Sequence, residues 1–443
     1  MSYSDDFGKV AEGMKSEDFS EIIQIPKLHL ESIEFILPPS KSHMIRLLAL
    51  ASLGNGSTII KVNQSIGQDA ISMINCLKSL GVNINQDSEN NWIVFGVGDK
   101  GLNLTHATVN CGNSGTAMRI LMAMISTMDK TIILEGDQSL SIRENSALKD
   151  SLKSVGVSII ETTKNHLPVR ITGPWFADDP TISTINLDLT KSSQPLTAWL
   201  LASPLLSKKV ILSPSKSTVS NRHHNLTLRL CNEFGANIET IDGQYHLSNW
   251  QVKNPKNVLI PGDSSMASFA ILLAKLHQNQ IKLHNWPDDK DCLGNEILKH
   301  NSDNLGIVWQ DNEINSISNG SIANYDLTDC NDLITPLSII LAISSGGCLS
   351  GISHTKYKES NRISKTISLM EDFGLNASYD GEILTIPGNQ VLVKPTSPVS
   401  SHNDHRIFMT AVALMTKFGG EVIGKGLHNI ADPMFLDRLG IVE

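Results

Sequence analysis

The stretch ISMINCLKSLGVNI, residues 71–84, contains a helix, its end and the start of a strand. Apolar side chains recur every three residues up to position 80, which is typical of the buried face of an amphipathic helix. Gly81 predicts the end of that helix, because glycine adopts the left-handed backbone conformation without a Cβ clash. Val82 and Ile84 then alternate with polar residues, which predicts a β-strand.

The same pattern of helix, bulky residue, glycine and strand recurs along the chain. Its glycines are spaced by 66 to 79 residues, so that six units of this size account for nearly all 443 residues. These glycines are Gly81, Gly156, Gly235, Gly306, Gly374 and Gly440. One copy alone is an ordinary helix end, but six copies at near-equal spacing predict an array of α+β units.

Two segments rich in proline, glycine and serine mark points where the chain can cross between domains. They lie at residues 38–40 and 261–263. Three of the six units lie between the two crossings and three lie after the second, which predicts two domains. Residues 40–262 would form an inserted domain, and residues 1–39 with 263–443 a discontinuous one. Each domain would bury its helices behind its sheets.

The composition excludes several classes of protein. Asp and Glu outnumber Lys and Arg by 45 to 36, and the net charge of −9 is the wrong overall field for nucleic-acid binding. The six cysteines form no CxxC pair, which favours reduced thiols in a cytoplasmic protein. The polar N-terminus predicts no signal peptide, and no apolar run reaches the roughly 18 residues of a membrane span.

Five segments place charged or hydrogen-bonding side chains at the predicted starts of helices. A helix start offers free backbone N–H groups, and these together with cations favour an anion. The segments are residues 40–46, 111–119, 191–194 with 220–223, 356–362 and 403–406. In the fourth, the spacing of Lys358 and Arg362 predicts one helix face. Taken singly, each segment is equally well explained as a solvated helix start or an ordinary cap.

In their order and spacing, the five segments resemble those of the enolpyruvyl transferases. The resemblance covers residues 38 to 440 and is carried by SerLysSer at 40–42 with Arg46, GlyAsnSerGlyThrAla at 112–117, SerSerGln at 192–194, LysGluSerAsnArg at 358–362 and AsnAspHisArg at 403–406. It implies an α+β fold, a two-domain inverse α/β prism in which each domain contains three repeated α+β units. That implication agrees with the repeat count.

The resemblance also implies an activity. The enolpyruvyl group of phosphoenolpyruvate would be transferred to the 5-hydroxyl of shikimate 3-phosphate through a tetrahedral intermediate, with release of phosphate, in chorismate and aromatic amino-acid biosynthesis. Both substrates are multiply anionic while the chain is net negative, so cations must be concentrated locally. No metal and no organic cofactor is expected. The expected partners are these two small molecules, without nucleic acid or membrane, and the expected state is a cytoplasmic monomer.

By the same resemblance, each substrate and each proton transfer is matched to particular residues. The catalytic residues would be Asp332 as base at the acceptor hydroxyl, Glu359 for proton exchange at the methylene carbon, and Lys41 sharing proton transfer. Shikimate 3-phosphate would be bound by Lys41, Ser42, Arg46, Ser192, Ser193, Gln194, Ser220, Asp332 and Lys358. Phosphoenolpyruvate would be bound by Lys41, Asn113, Gly115, Arg143, Gln194, Arg362 and Arg406.

Departures from the family pattern gather on the phosphoenolpyruvate side. The family carries a lysine three residues before the proline of its closing segment, where this chain has Ile430. Restoring that lysine is expected to raise affinity for phosphoenolpyruvate. Other departures are Ile45, Ile120, Glu144, His223 and Asn361. Two alternatives stay open: an enolpyruvyl transferase with a different acceptor, such as a nucleotide sugar, and a non-catalytic protein that binds phosphorylated ligands.

Overall fold

The computed structural model describes residues 20–161, 163, 166–175, 184–317 and 320–442. These residues divide into two compact units. The first comprises residues 41–63 and 67–260, and the second comprises residues 20–40, 64–66 and 261–442. The domain boundaries predicted from the sequence, 40 and 262, stay a prediction. Over the described ranges, no helix combines the length and the apolar character needed to cross a bilayer.

The helices lie in both units and are numbered in chain order. In the first unit they are α1 (Lys41–Leu53), α2 (Gln68–Ser79), α3 (Gly115–Ile125), α4 (Gln138–Ser141), α5 (Ser146–Lys153), α6 (Gln194–Ala202) and α7 (Asn221–Glu233). In the second they are α8 (Ala267–His277), α9 (Ile297–His300), α10 (Ile334–Ile343), α11 (Arg362–Asp372), α12 (His405–Met415) and α13 (Phe435–Arg438).

The strands are short and follow the same numbering. The second unit begins with β1 (Ile22–Ile25) and β2 (Ser32–Ile36). The first unit contains β3 (Ser57–Lys61), β4 (Asn83–Gln86), β5 (Trp92–Phe95), β6 (Thr108–Asn110), β7 (Thr131–Glu135), β8 (Ser158–Glu161), β9 (Val169–Thr172), β10 (Thr184–Leu187), β11 (Val210–Pro214), β12 (Glu239–Ile241), β13 (Gln244–Leu247) and β14 (Asn257–Leu259). The second unit resumes with β15 (Gln280–His284), β16 (Ile307–Gln310), β17 (Glu313–Ser316), β18 (Ala323–Asp326), β19 (Gly346–Ser350), β20 (Ser378–Tyr379), β21 (Leu384–Pro387), β22 (Val399–Ser400) and β23 (Gly420–Ile423).

One strand topology recurs in the sheets of both units. A parallel pair is followed by two antiparallel strands in the orders β14-β3-β5-β4, β6-β7-β9-β8, β10-β11-β13-β12, β2-β15-β17-β16 and β18-β19-β21-β20. A further sheet, β22-β23-β1, has the same parallel pair and one antiparallel strand among the described residues. Each unit therefore contains three sheets, which confirms the predicted three α+β units per domain.

Two sheets of the second unit are completed only after the chain has passed through the first unit, because β1 and β2 precede that unit and their partners β23 and β15 follow it. In the first unit, the opening strand β3 likewise pairs with the last strand, β14. An antiparallel bridge joins Pro39 to Gly262, and the N–H of Ser40 donates to the carbonyl of Pro261 at 2.8 Å. The outgoing and returning segments therefore lie side by side.

The six repeat glycines have φ angles between 70° and 104°. They occupy the left-handed region, which confirms their predicted role in ending helices. At Gly81 the constraint is also steric, because an added Cβ would lie 2.7 Å from the carbonyl oxygen of Asn103. At Gly440 an added Cβ would meet no atom within 4 Å.

Three helices in each unit are buried on all sides. Every residue of α12 is buried, and α10 is buried from Ile334 to Ala342. α8 packs against both of them. In the first unit α1, α3 and α6 are buried over almost their whole length. A helix that is apolar all round must be covered on every side, so that the helix ends are the places left for polar function.

The contrast between two repeat glycines yields a stability prediction. Gly81→Ala is expected to destabilise the protein more than Gly440→Ala. Both variants place a side chain in the left-handed region at roughly 1–2 kcal/mol, but only the first also adds a backbone clash. Urea unfolding of the two variants measures the difference. Equal losses of stability would show that the approach of Asn103 does not matter.

Candidate functional site

Several of the residues predicted for the site lie in the first two turns of helices. In the first unit Lys41, Ser42 and Arg46 occupy the first two turns of α1, and Gln194 begins α6. In the second unit Arg406 lies in the first turn of α12. The free N–H groups and the positive end of the helix dipole make such positions favourable for anions.

Arg46 is a buried cation held by neutral groups. Its Nε donates to Thr227 Oγ1 at 2.8 Å and its Nη1 to the carbonyl of Ser42 at 2.8 Å. Longer contacts of Nη2 reach Thr197 and the carbonyl of His223. Burial lowers the pKa of the guanidinium to about 10 because its partners are hydroxyls and carbonyls. A buried charge compensated in this way favours an anionic ligand.

Arg143 and Asn113 form a second cluster in the first unit. Arg143 Nη2 donates to Asn113 Oδ1 at 2.7 Å, and Nη1 donates to the Asn113 carbonyl at 3.1 Å. The Asn113 amide donates in turn to Asp137 at 2.6 Å. A Cβ at Gly115 would lie 3.0 Å from Arg119 Nη1 and 3.3 Å from Arg143 Nη1. Glycine therefore leaves the space beside two guanidinium groups.

The remaining predicted residues of the first unit are polar groups at helix starts. Lys41 Nζ lies 2.9 Å from Asp69 Oδ2. Gln194 donates through Nε2 to Thr116 Oγ1 at 3.1 Å, which joins the start of α6 to that of α3. Its buried Oε1 has no hydrogen-bond partner among the described residues.

The three predicted serines flank α6 and α7. Ser192 Oγ accepts from the N–H of Gln194 at 3.2 Å, and Ser193 is buried beside it. Ser220 is buried immediately before α7 with φ 56°, a left-handed conformation uncommon for serine. Loop backbone and helix starts therefore determine where these hydroxyls lie.

In the second unit, Arg362 binds three carboxylates. Its Nε lies 2.9 Å from Asp404 Oδ2, its Nη1 lies 2.7 Å from Asp332 Oδ1, and its Nη2 lies 2.5 Å from Glu359 Oε2. Burial alone would lower the pKa of this guanidinium, but the carboxylates of Asp404, Glu359 and Asp332 outweigh burial and raise it. Arg362 therefore fixes both predicted catalytic carboxylates relative to each other.

Arg406 lies beside this network with unused hydrogen-bonding capacity. Its Nη2 donates to Ser265 Oγ at 2.8 Å and lies 3.6 Å from Asp332 Oδ2. Its Nε and Nη1 are buried, and neither has a hydrogen-bond partner in the part of the chain that the structure describes. Two buried, charged N–H groups without acceptors are costly unless a ligand supplies the acceptors.

The prediction that Lys358 and Arg362 share a helix face is wrong. A 3₁₀ helix, Ser353–Tyr357, ends before Lys358, whose backbone is extended. α11 begins at Arg362, because Asn361 caps it by accepting from the N–H of Ser364 at 3.4 Å. Asparagine side chains favour such caps over helix interiors.

Sequence patterns assigned no role to Asp404 or His354. Asp404 is fully buried, caps α12 by accepting from the N–H of Arg406, and binds Arg362 through both oxygens. Its position one residue before a helix indicated a cap, but not the long-range ion pair. His354 is buried, and burial together with the cation of Lys358 lowers its pKa to about 4.

The chemistry open to each set of residues follows from these contacts. The first unit presents cations, hydroxyls and an amide at helix starts, which suits phosphate and polyol groups. The second presents two carboxylates and two guanidinium groups, which suits proton transfer beside an anion. Across the described ranges, no group of three or more His, Cys, Asp or Glu side chains could hold a metal ion.

Comparison with known proteins places this chain among relatives. The family model of EPSP synthase, 3-phosphoshikimate 1-carboxyvinyltransferase, matches residues 32–432. The chain belongs to this family. Membership confirms the resemblance to enolpyruvyl transferases that the sequence motifs indicated.

Individual relatives of the EPSP synthase family match over most of their length. The chain is 30% identical over 383 residues to the 3-phosphoshikimate 1-carboxyvinyltransferase of Methanocorpusculum labreanum, covering 84% of this chain and 87% of the relative. Identity to that of Methanobrevibacter smithii is 28% over 423 residues, or 91% and 94% of the two chains. A solved EPSP synthase from Acinetobacter baumannii matches with a TM-score of 0.73 at 23% identity, covering 95% and 97%. The two-domain α+β fold is thereby confirmed.

The ion pair between Asp404 and Arg362 yields a second prediction. Asp404→Asn is expected to lower the free energy of unfolding by about 3 kcal/mol or more, because an N–H donor would replace one of the two buried oxygens that accept from Arg362. The exposed Asp437→Asn is the control and should change stability by at most about 0.5 kcal/mol. Chemical unfolding of both variants measures this. A loss no larger than that of the control would remove Asp404 from the network.

Proposed function

We propose that this chain catalyses the reaction of its family with the two sets of residues described above. It is a 3-phosphoshikimate 1-carboxyvinyltransferase, which transfers the enolpyruvyl group of phosphoenolpyruvate to the 5-hydroxyl of shikimate 3-phosphate and releases phosphate. The observation that carries the assignment of residues is Arg406. Its buried Nε and Nη1 lack acceptors among the described residues, while its Nη2 lies 3.6 Å from Asp332. An anionic substrate beside a carboxylate base would satisfy both features.

The acceptor is assigned mainly to the first unit. Arg46 brings a buried cation whose protein partners are neutral, and Lys41 adds a second cation at the start of α1. Ser192, Ser193 and Ser220, with the amide of Gln194, offer hydrogen bonds to phosphate and ring hydroxyls. Lys358 and Asp332 complete the proposed set, in which Asp332 acts on the hydroxyl that reacts.

Phosphoenolpyruvate is assigned to a set of residues that includes three guanidinium groups. Arg143 donates two hydrogen bonds to Asn113 and lies beside the space at Gly115, and its planar guanidinium suits a carboxylate or phosphate. Arg406 offers its unmatched Nε and Nη1, while Arg362 holds the neighbouring carboxylates. The side chains of Lys41, Asn113 and Gln194 complete this set.

The chemical step needs one proton removed and one proton delivered. Asp332 takes the proton of the 5-hydroxyl, and that oxygen forms a bond to C2 of phosphoenolpyruvate while C3 accepts a proton to become a methyl group. Glu359, with Lys41, exchanges the proton at C3. The tetrahedral intermediate then loses phosphate from C2 and a proton from the methyl group, which restores the double bond. The contacts of Arg362 with Asp332 and Glu359 orient both carboxylates.

Neither alternative from the sequence analysis gains support. No comparison favours a different acceptor or a non-catalytic protein over the reaction of the family. Ile430, where the expected lysine is missing, is 2% exposed and belongs to the apolar core of the second unit. It ends a 3₁₀ helix, Leu427–Ile430. The monomeric state and the cytoplasmic location stay predictions.

Substitutions at Asp332 and Arg406 should distinguish an effect on catalysis from an effect on substrate binding. Asp332→Asn should leave shikimate 3-phosphate binding within about twofold while lowering turnover by roughly 10²-fold or more, because a positioned base is lost. Arg406→Gln should instead weaken phosphoenolpyruvate binding by roughly tenfold to a hundredfold. Calorimetry with the acceptor and phosphate release with both substrates are the measurements. The exposed Asp289→Asn is the control, and near-normal turnover of Asp332→Asn would refute the assignment of the base.

Burial of Ile430 changes the result expected from restoring the missing lysine. Ile430→Lys should lower stability by roughly 2–4 kcal/mol and leave phosphoenolpyruvate affinity no higher, because the ammonium would enter an apolar core. Ile430→Val is the conservative control. Thermal unfolding and the apparent affinity at saturating acceptor test this. Higher affinity at normal stability would instead place position 430 beside the substrate.

A further inference from the structure

The second unit contains a cavity at the C-terminal ends of its three buried helices. It has a volume of about 520 Å³. Lys275 near the end of α8, Ile343 at the end of α10 and Lys417 just beyond α12 contribute to its lining. Asp332 and Arg406 lie at the opposite ends of α10 and α12, roughly 15 Å away along a ten-residue helix. The cavity is therefore separate from the residues proposed for catalysis.

The charged groups of this cavity are all cationic. Lys275 and Lys417 line it, and no carboxylate occurs among its lining residues in the part of the chain that the structure describes. This contrasts with the net charge of −9 of the whole chain. Burial is the main reason that the pKa of nearby His277 is lowered to about 4, and the ammonium of Lys417 lowers it further.

The two lysines retain donors after satisfying the protein. Lys417 Nζ donates to the carbonyl of Leu276 at 3.3 Å, and Lys275 Nζ donates to the carbonyls of Gly306 and Ile317 at 3.1 Å and 3.0 Å. These bonds supply donors to carbonyl groups that have no partner within a helix. Each ammonium has three N–H bonds, so that two remain on Lys417 and one on Lys275.

The rest of the lining combines apolar side chains with the neutral polar groups of Gln278, Ser316 and Gln390. Ile343, Leu392, Ile317 and Val391 contribute apolar surface, and Val391 is 78% exposed. Pockets for small molecules typically have volumes of roughly 300–1,000 Å³ and combine apolar walls with a few charged groups. Inorganic anions would leave the apolar walls unused.

We propose that this cavity binds a small organic anion with an apolar ring, such as an aromatic or alicyclic carboxylate, held by the ammonium groups of Lys275 and Lys417. The proposal concerns a second site and does not depend on the reaction assigned to the chain. The carboxylate would accept hydrogen bonds from the remaining N–H groups, and the ring would lie against Ile343 and Leu392.

The test uses a matched pair of variants at Val391, whose exposure makes substitution compatible with folding. Benzoate, cyclohexanecarboxylate and inorganic phosphate are titrated calorimetrically into the full chain. Benzoate affinity should fall at least tenfold in Val391→Glu, because a carboxylate is added to the lining, and should stay within twofold in Val391→Gln. Lys417→Gln should lower it at least threefold, whereas the exposed Lys290→Gln should leave it unchanged.

A parallel experiment tests whether benzoate binds at the catalytic residues instead. Benzoate should still bind Arg406→Gln with unchanged affinity, and both Val391 variants should retain the basal phosphate-release rate. Benzoate should also raise the pKa of His277 in NMR titrations, because a nearby anion favours imidazolium. The proposal would be overturned by equal benzoate affinity in Val391→Glu and Val391→Gln, by no binding of either carboxylate at concentrations up to about 50 mM, or by displacement of bound benzoate by an equal concentration of phosphate.

Discussion

The complete burial of three helices in each unit is the constraint on which the rest of the structure depends. Most side chains on these helices are apolar and buried, so sheets cover the helices, and most of the charged groups lie in the first two turns. At the N-terminal ends, free N–H groups and the helix dipole favour anions. Arg46, Asn113, Gln194 and Arg406 are found at or immediately before such ends. The fold therefore concentrates positive potential in a chain whose net charge is negative.

The network around Arg362 shows how the second unit balances buried charge. One guanidinium binds Asp332, Glu359 and Asp404, which leaves an excess of carboxylate that Arg406 partly offsets through Asp332. Buried ion pairs of this kind add little net stability, but they fix geometry, because removing any partner leaves an uncompensated charge. The carboxylates of Asp332 and Glu359, which we propose to be catalytic, thus have defined positions before substrate arrives, which reduces the ordering required at the chemical step.

Local sequence predicted elements whose cause is local. The glycine at each repeat ends a helix because of its own conformational freedom, and so its positive φ was predictable without any neighbour. Helix starts were likewise predictable from consecutive residues, because their cause is also local. Lys358 shows the limit: its spacing from Arg362 fits one helix face, yet Asn361 begins a new helix between them. The choice between two compatible local structures depended on a single hydrogen-bonding side chain.

The sequence by itself determined the repeat, the two groups of three units and, through its motifs, the family. Periodicity and glycine placement are properties of consecutive residues, and a helix or strand depends chiefly on these. Tertiary structure alone decided that Arg362 binds Asp404, that Ile430 lies in the core, and that lysines meet at the C-terminal helix ends. These pairings join residues far apart in the chain, and their energy depends on burial and distance, which no local pattern of residues specifies.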